Sequence, residues 1–124
     1  MKGITASPSV AGLIMQLFHA RTNAHVLHLR TRSYAAHVAL NEFYENIVGQ
    51  TDKLAEAYQG RYGIQDYPEL PYKAESDAIM MIRGLRRYID ENRLQMCDHS
   101  ELQNLIDEIV AQMDSTLYKL ENLS

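Results

Sequence analysis

Apolar residues recur along this chain at intervals of three and four, in four separate stretches, and nowhere in strict alternation. A period near 3.6 residues places such positions on one face of an α-helix, whereas a half-buried strand needs a period of two. The first stretch runs from about Ser9 to His28, with Val10, Leu13, Ile14, Leu17, Phe18 and Ala24 on its stripe. The second runs from about Ser33 to Gln59, with Leu40, Phe43, Ile47 and Leu54 inward and Gly60 placed to stop it. Residues 61–73 contain Gly63, Pro68 and Pro71 and read as an extended connection. The third stretch runs from about Ala74 to Arg93, with Ala78, Ile82, Leu85 and Ile89 inward. Asp98 and Glu101 have the spacing of a capping box, which predicts a fourth helix over about 99–122 with Leu102, Leu105, Ile106, Ile109, Met113, Leu117 and Leu120 on one stripe.

Four such helices in 124 residues predict an all-α fold, a single four-helix bundle spanning residues 1–124. The short turn at 29–32 makes the first two helices antiparallel, and the last two pair in the same way. The middle connection decides the topology. Thirteen extended residues reach at most about 45 Å, while the third helix is about 30 Å long. The connection can therefore cross over along the bundle, as in ferritin-like bundles; a plain up-down-up-down order is also compatible with that length.

Composition narrows the function classes. With 46% hydrophobic and 23% charged residues the chain reads as an ordinary globular domain. A net charge of −4 argues against nucleic acid as a partner of the isolated protein. A single cysteine, Cys97, cannot form an internal disulfide, which fits a reducing compartment. Met1–Pro8 lacks the pattern of a signal peptide and no apolar run is long enough to span a bilayer, so a cytoplasmic location is expected. No Glu-x-x-His occurs, which argues against a di-iron site within one bundle, and Cys97 with His99 has no second pair for zinc.

The second helix carries an unusual polar strip. With His37 at zero and 100° per residue, Asn41 lies near 40°, Asp52 near 60°, Glu45 near 80° and Glu56 near 100°, beside the core stripe and not opposite it. His37 and Asp52 are about 22 Å apart along the axis, so no ion can touch both in one chain. The sums 37 + 56 and 41 + 52 are equal, however. A second copy of the helix laid antiparallel, with a two-fold axis between Asn46 and Ile47, sets His37 against Glu56 of the other copy and Asn41 against Asp52, and creates two such sites per dimer. His25, twelve residues before His37, can approach it across the turn. A His/His/carboxylate/carboxylate set suits iron, with open positions for oxygen chemistry.

These residues carry a resemblance. The stretch Leu17–Glu56, "LFHARTNAHVLHLRTRSYAAHVALNEFYENIVGQTDKLAE", resembles Dps, the starvation-induced mini-ferritins of the ferritin-like superfamily. Their ferroxidase signature is His-x11-His-x3-Asp from one subunit and Asp-x3-Glu from its two-fold partner. Here His25, His37, Asn41, Asp52 and Glu56 stand at those positions, four of the five with the family's residue type. The resemblance implies an iron-binding homodimer through helix two, extendable to a higher homo-oligomer, that oxidises Fe(II) to Fe(III) with peroxide or oxygen. The departures are specific. Asn41 replaces an aspartate ligand, Val26 stands in place of a usual tryptophan, and the turn at 29–32 contains no glycine. The middle connection has little room for the family's short interface helix, and the N-terminal tail offers only Lys2 in place of a lysine-rich DNA-binding arm. The alternative expectation is therefore a non-catalytic interaction or structural protein that keeps the bundle, has lost metal oxidation and meets an unidentified protein partner.

Other features have simpler readings. His28 is out of register with the strip and is expected at the surface or in the turn. Glu45 is the nearest spare carboxylate. Arg83, Arg86 and Arg87 read as a solvated basic face with stems lying along the helix, the tyrosines Tyr62, Tyr67 and Tyr72 as packing over the bundle, and Cys97 as a helix-end residue.

Overall fold

The computed structural model describes residues 7–124; the tail lysine Lys2 lies outside the described residues. Four helices follow one another, α1 (Val10–Arg30), α2 (Tyr34–Tyr62), α3 (Ala78–Met96) and α4 (Ser100–Asn122), with no strand among the described residues. The all-α bundle expected from the periodicity is what forms.

Local chemistry explains the helix ends. The first N–H groups of a helix lack intrahelical partners. Ser9 and Ser33 accept from the amides of Gly12 (3.0 Å) and Ala36 (3.1 Å), and Asp77 accepts from Ile79 and Met80 at 2.9 and 3.1 Å. The start of the third helix thus moves from the expected Ala74 to Ala78, because Asp77 supplies the cap. Gly60 does not stop α2. The helix passes through it to Tyr62, and Gly63, at φ 89°, takes the left-handed terminal position that a side chain would disfavour. The capping box expected from Asp98 and Glu101 is not made either. His99 stands at the N-cap of α4 without a side-chain bond, and Glu101 reaches Arg61 of α2 instead.

The topology follows from the cross-helix contacts. Asn46 donates to Gln112, Gln50 to the Glu108 carbonyl and Arg61 to Glu101, so α2 and α4 are antiparallel. Arg83 pairs with Glu121, Arg86 with Asp114 and Arg93 with Asp107, so α3 and α4 are antiparallel. The arginines expected on a solvated face are partly engaged in knitting these two helices together. The segment before α3 lies beside the end of α1, where Asn23 holds Glu75. Hence α1 and α4 run one way and α2 and α3 the other, with α1 diagonal to α4 and α2 diagonal to α3. The connection 63–77 crosses the length of the bundle, as the crossover expectation required.

The core is one continuous cluster. Leu13, Leu17, Phe43, Ile47, Leu54, Ile82, Ile89, Leu102, Ile106 and Ile109 are wholly buried. Each comes from the stripe its helix presents inward, which is the arrangement that lets an amphipathic helix escape water. None of the described helices is long and apolar enough to cross a membrane.

Candidate metal centre at the α1–α2 seam

The turn between α1 and α2 has only three residues outside the helices, Thr31–Ser33, and lacks the glycine that commonly ends a helix. Thr31 closes α1 in an extended conformation, its N–H reaching the Leu27 carbonyl at 3.0 Å. The next carbonyl, His28, still needs a donor. His37 provides it: its Nδ1–H donates to the His28 carbonyl at 2.9 Å. The arrangement is reciprocal, with His28 Nδ1–H donating to the His37 carbonyl at 2.8 Å. A carbonyl only accepts, so both rings carry the proton on Nδ1. The two imidazoles lie against each other, with centroids 3.7 Å apart and planes 21° from parallel.

His28 therefore departs from its sequence reading. It is buried, not at the surface. The reason is the reciprocal clasp, which rewards burial of the ring with a hydrogen bond and a stacked neighbour. His25 lies 5.9 Å from His28 and stacks on Tyr44 at 4.1 Å, and Tyr44 meets His28 edge-on at 5.3 Å, so the three rings form a triangle. Tyr34 continues the series beyond His37 at 6.5 Å. The seam is thus a cluster of aromatic rings, in which His25, His37 and Tyr44 each neighbour His28.

This geometry limits metal chemistry. An imidazole ligates in its own plane, with the ion about 2.0–2.1 Å from nitrogen. Two rings stacked 3.7 Å apart and nearly parallel have planes that do not meet close to either nitrogen. His28 and His37 cannot share one ion. Each retains Nε2 as a free acceptor, and a backbone acceptor fixing Nδ1–H is the support that ligating histidines ordinarily have.

The remaining strip residues are placed on α2 as follows. Asn41 is half-buried and already engaged, its Oδ1 accepting from the Tyr44 hydroxyl at 2.7 Å and its Nδ2 donating to Glu45 at 3.1 Å. Asp52 and Glu56 are exposed and make no ion pair among the described residues. Within one chain, no three histidine, cysteine, aspartate or glutamate side chains among the described residues converge as a metal cluster. Position also matters at the level of the supposed two-fold axis. Asn46 is turned to α4 and Ile47 is buried. The residues at that level facing outward are Glu45, Val48 and Gly49.

Sequence reasoning missed the His28–His37 clasp and the Tyr44 contacts. The nine-residue spacing of His28 and His37 across a glycine-free turn was the available signal. The tyrosines of the crossover do touch the bundle. Tyr67 donates to Gln59 at 2.7 Å, Tyr72 meets His19 edge-on at 5.6 Å, and Tyr62 packs on Tyr58 and His99.

Comparison with known proteins adds kinship. The chain is 30% identical over 112 residues to an uncharacterized 14.6 kDa protein of the mobD–ri intergenic region of Enterobacteria phage T4, covering 88% of this chain and 83% of that one. No solved structure matches. Residues 28–120, from the first histidine of the clasp to the last turn of α4, match a family of unknown function, DUF5856. The chain belongs to the DUF5856 family.

Proposed function

We propose that this protein works as a homodimer through the outer face of α2 and holds iron between the two copies, in the manner of the mini-ferritins it resembles. His25 and His37 of one copy and Asp52 and Glu56 of the other would contact Fe(II), which is both ligand and substrate in this reading. The observation that carries it is the His37 Nδ1–H bond to the His28 carbonyl, which leaves Nε2 unprotonated in the neutral ring. The unpaired carboxylates of Asp52 and Glu56 supply the negative charge that a hard cation needs. Oxidation by peroxide or oxygen belongs to the same proposal.

A second reading has its own observation. Asn41 offers no charge, and its only ligating atom already accepts from Tyr44. That closed Tyr44–Asn41–Glu45 chain favours a non-catalytic interaction protein with the same bundle and an idle site.

One experiment separates the two. Fe(II) is titrated anaerobically into wild type, Asn41→Asp and Glu56→Ala while mass in solution is followed, and oxidant is then added. Under the metal reading wild type binds at most one ion per site and oxidises it slowly. Asn41→Asp binds tighter and oxidises faster, since ligand charge governs affinity for hard cations. Glu56→Ala does neither. Without metal, Asn41→Asp sets a carboxylate beside Glu45 and costs about 0.2–0.5 kcal/mol, as for like charges four residues apart; the gain therefore depends on the ion. Uptake by neither wild type nor Asn41→Asp leaves the interaction reading.

A further inference from the structure

A different face of the bundle carries a second feature. Between α1, α3 and the crossover lies an open cavity of about 530 Å³. It exists because Ala20 of α1 and Gly84 of α3 put almost no side chain into the gap, and a Cβ on Gly84 would meet nothing within 4 Å. The crossover forms the third wall. Asn23, 3% exposed, binds both backbone groups of Glu75 at 2.8 and 3.0 Å and so fixes that wall to α1.

We propose that this cavity binds a small zwitterion with an apolar body, namely an apolar α-amino acid. The size falls within the range of small-molecule sites, about 300–1,000 Å³, and such sites combine apolar walls with a few placed polar groups. Leu70, Met81 and Leu85 furnish the walls. Lys73 and Glu75 stand two apart in the crossover, and both line the cavity. Neither has an ion-pair partner among the described residues. A ligand bearing one charge would satisfy one of them and face the other as a like charge. A carboxylate and an ammonium on one small molecule complement both.

Methyl resonances of Met80 and Met81, which both line the cavity, report occupancy directly. The probes are L-phenylalanine, 3-phenylpropionate and phenethylamine, which share one apolar body and differ in charge. L-phenylalanine is expected to shift both methyls saturably, and each single-charge analogue to bind at least about tenfold more weakly, the loss of one modest charge contact. Gly84→Leu should fill the cavity and abolish the shifts. It should keep or raise helical content, since leucine is the better helix former, so lost binding would not report lost folding. The double variant Lys73→Met, Glu75→Gln should bind all three probes alike. The proposal is overturned by the absence of saturable shifts up to about 10 mM, beyond the weak end of useful affinity. Equal binding of L-phenylalanine and either analogue by wild type, or undiminished binding to Gly84→Leu, overturns it as well.

Discussion

Replacing Asn23 by alanine tests whether the crossover is held by side-chain chemistry or merely laid along the bundle. Asn23 is buried, and it gives Glu75 one donor and one acceptor, at 3.0 and 2.8 Å. A neutral hydrogen bond contributes about 0.5–1.5 kcal/mol net, so the pair is worth about 1–3 kcal/mol. Glu75 itself is exposed, so water can reach its backbone once the amide is gone, which draws the expected loss toward about 1–2 kcal/mol. In a domain of this size that corresponds to a melting point lower by roughly 3–10 °C. Asn23→Asp should cost more than alanine. It keeps an acceptor for the Glu75 amide but sets a buried carboxylate against the Glu75 carbonyl. Urea unfolding gives the free energies, and hydrogen exchange at the Glu75 amide reads the local bond. An alanine variant within about 0.5 kcal/mol of wild type, the range of neutral surface changes, with Glu75 exchanging equally fast in both proteins, would refute the clamp.

Three further outcomes follow from single positions. Gly49→Ala, in mid-helix with open space around the new methyl, should stabilise by about 0.5–1 kcal/mol, whereas Gly63→Ala, at φ 89°, should destabilise by about 1–2 kcal/mol; thermal melts of both check the contrast. Thr51 is 1% exposed and its hydroxyl has no partner among the described residues, so Thr51→Val should be neutral or stabilising by up to about 2 kcal/mol in urea titrations. Burial pushes the Cys97 thiol up, only partly offset by Gln103 and Arg93. Alkylation in the fold should therefore lag that of the unfolded chain at neutral pH. The sign for stability is set by the same shift: the raised group contributes fully below the unfolded thiol's pKa, and that contribution is lost as pH rises through the folded one.

Much of the fold was legible because one physical rule decides it. The stripes of Leu13, Leu17, Phe43, Ile47, Ile82, Ile89, Ile106 and Ile109 are all in the core, since nothing competes with burial for such residues. The crossover was legible only as a length, and its course was settled by Asn23 holding Glu75, a contact across 52 positions that no local pattern announces. Helix ends were less legible, because several groups compete there. Gly60 was passed over since Gly63 could take the left-handed turn, and Glu101 left the capping position for Arg61. At the site, the periodicity placed Asp52 and Glu56 beside the core stripe, and both side chains are exposed. It misplaced His28, because a ring at a helix end can turn inward when a carbonyl and a second ring await it.

The outer strip of α2 poses an electrostatic question that both functional readings must answer. An antiparallel pairing centred near residues 46 and 47 would gather Glu45, Asp52 and Glu56 from each copy into one interface. Two like charges 4 Å apart repel by about 1 kcal/mol in bulk water and by several times that as water is excluded. Apolar burial offers little to offset this. Val48, 37% exposed, is the one sizeable apolar side chain facing outward at that level, and Ile47 is wholly inside. Cations brought to this strip would therefore favour association along it. In the metal reading they are small ions, and dimerisation and ion binding become one linked event in which each strengthens the other. In the interaction reading they are lysine or arginine side chains of a different protein, and copies of this chain repel one another at that face. In the metal reading the acids that motivate the centre are thus the same acids that oppose the dimer without it, and Asn41, by removing one negative charge from each half, would ease pairing while weakening the hold on the ion.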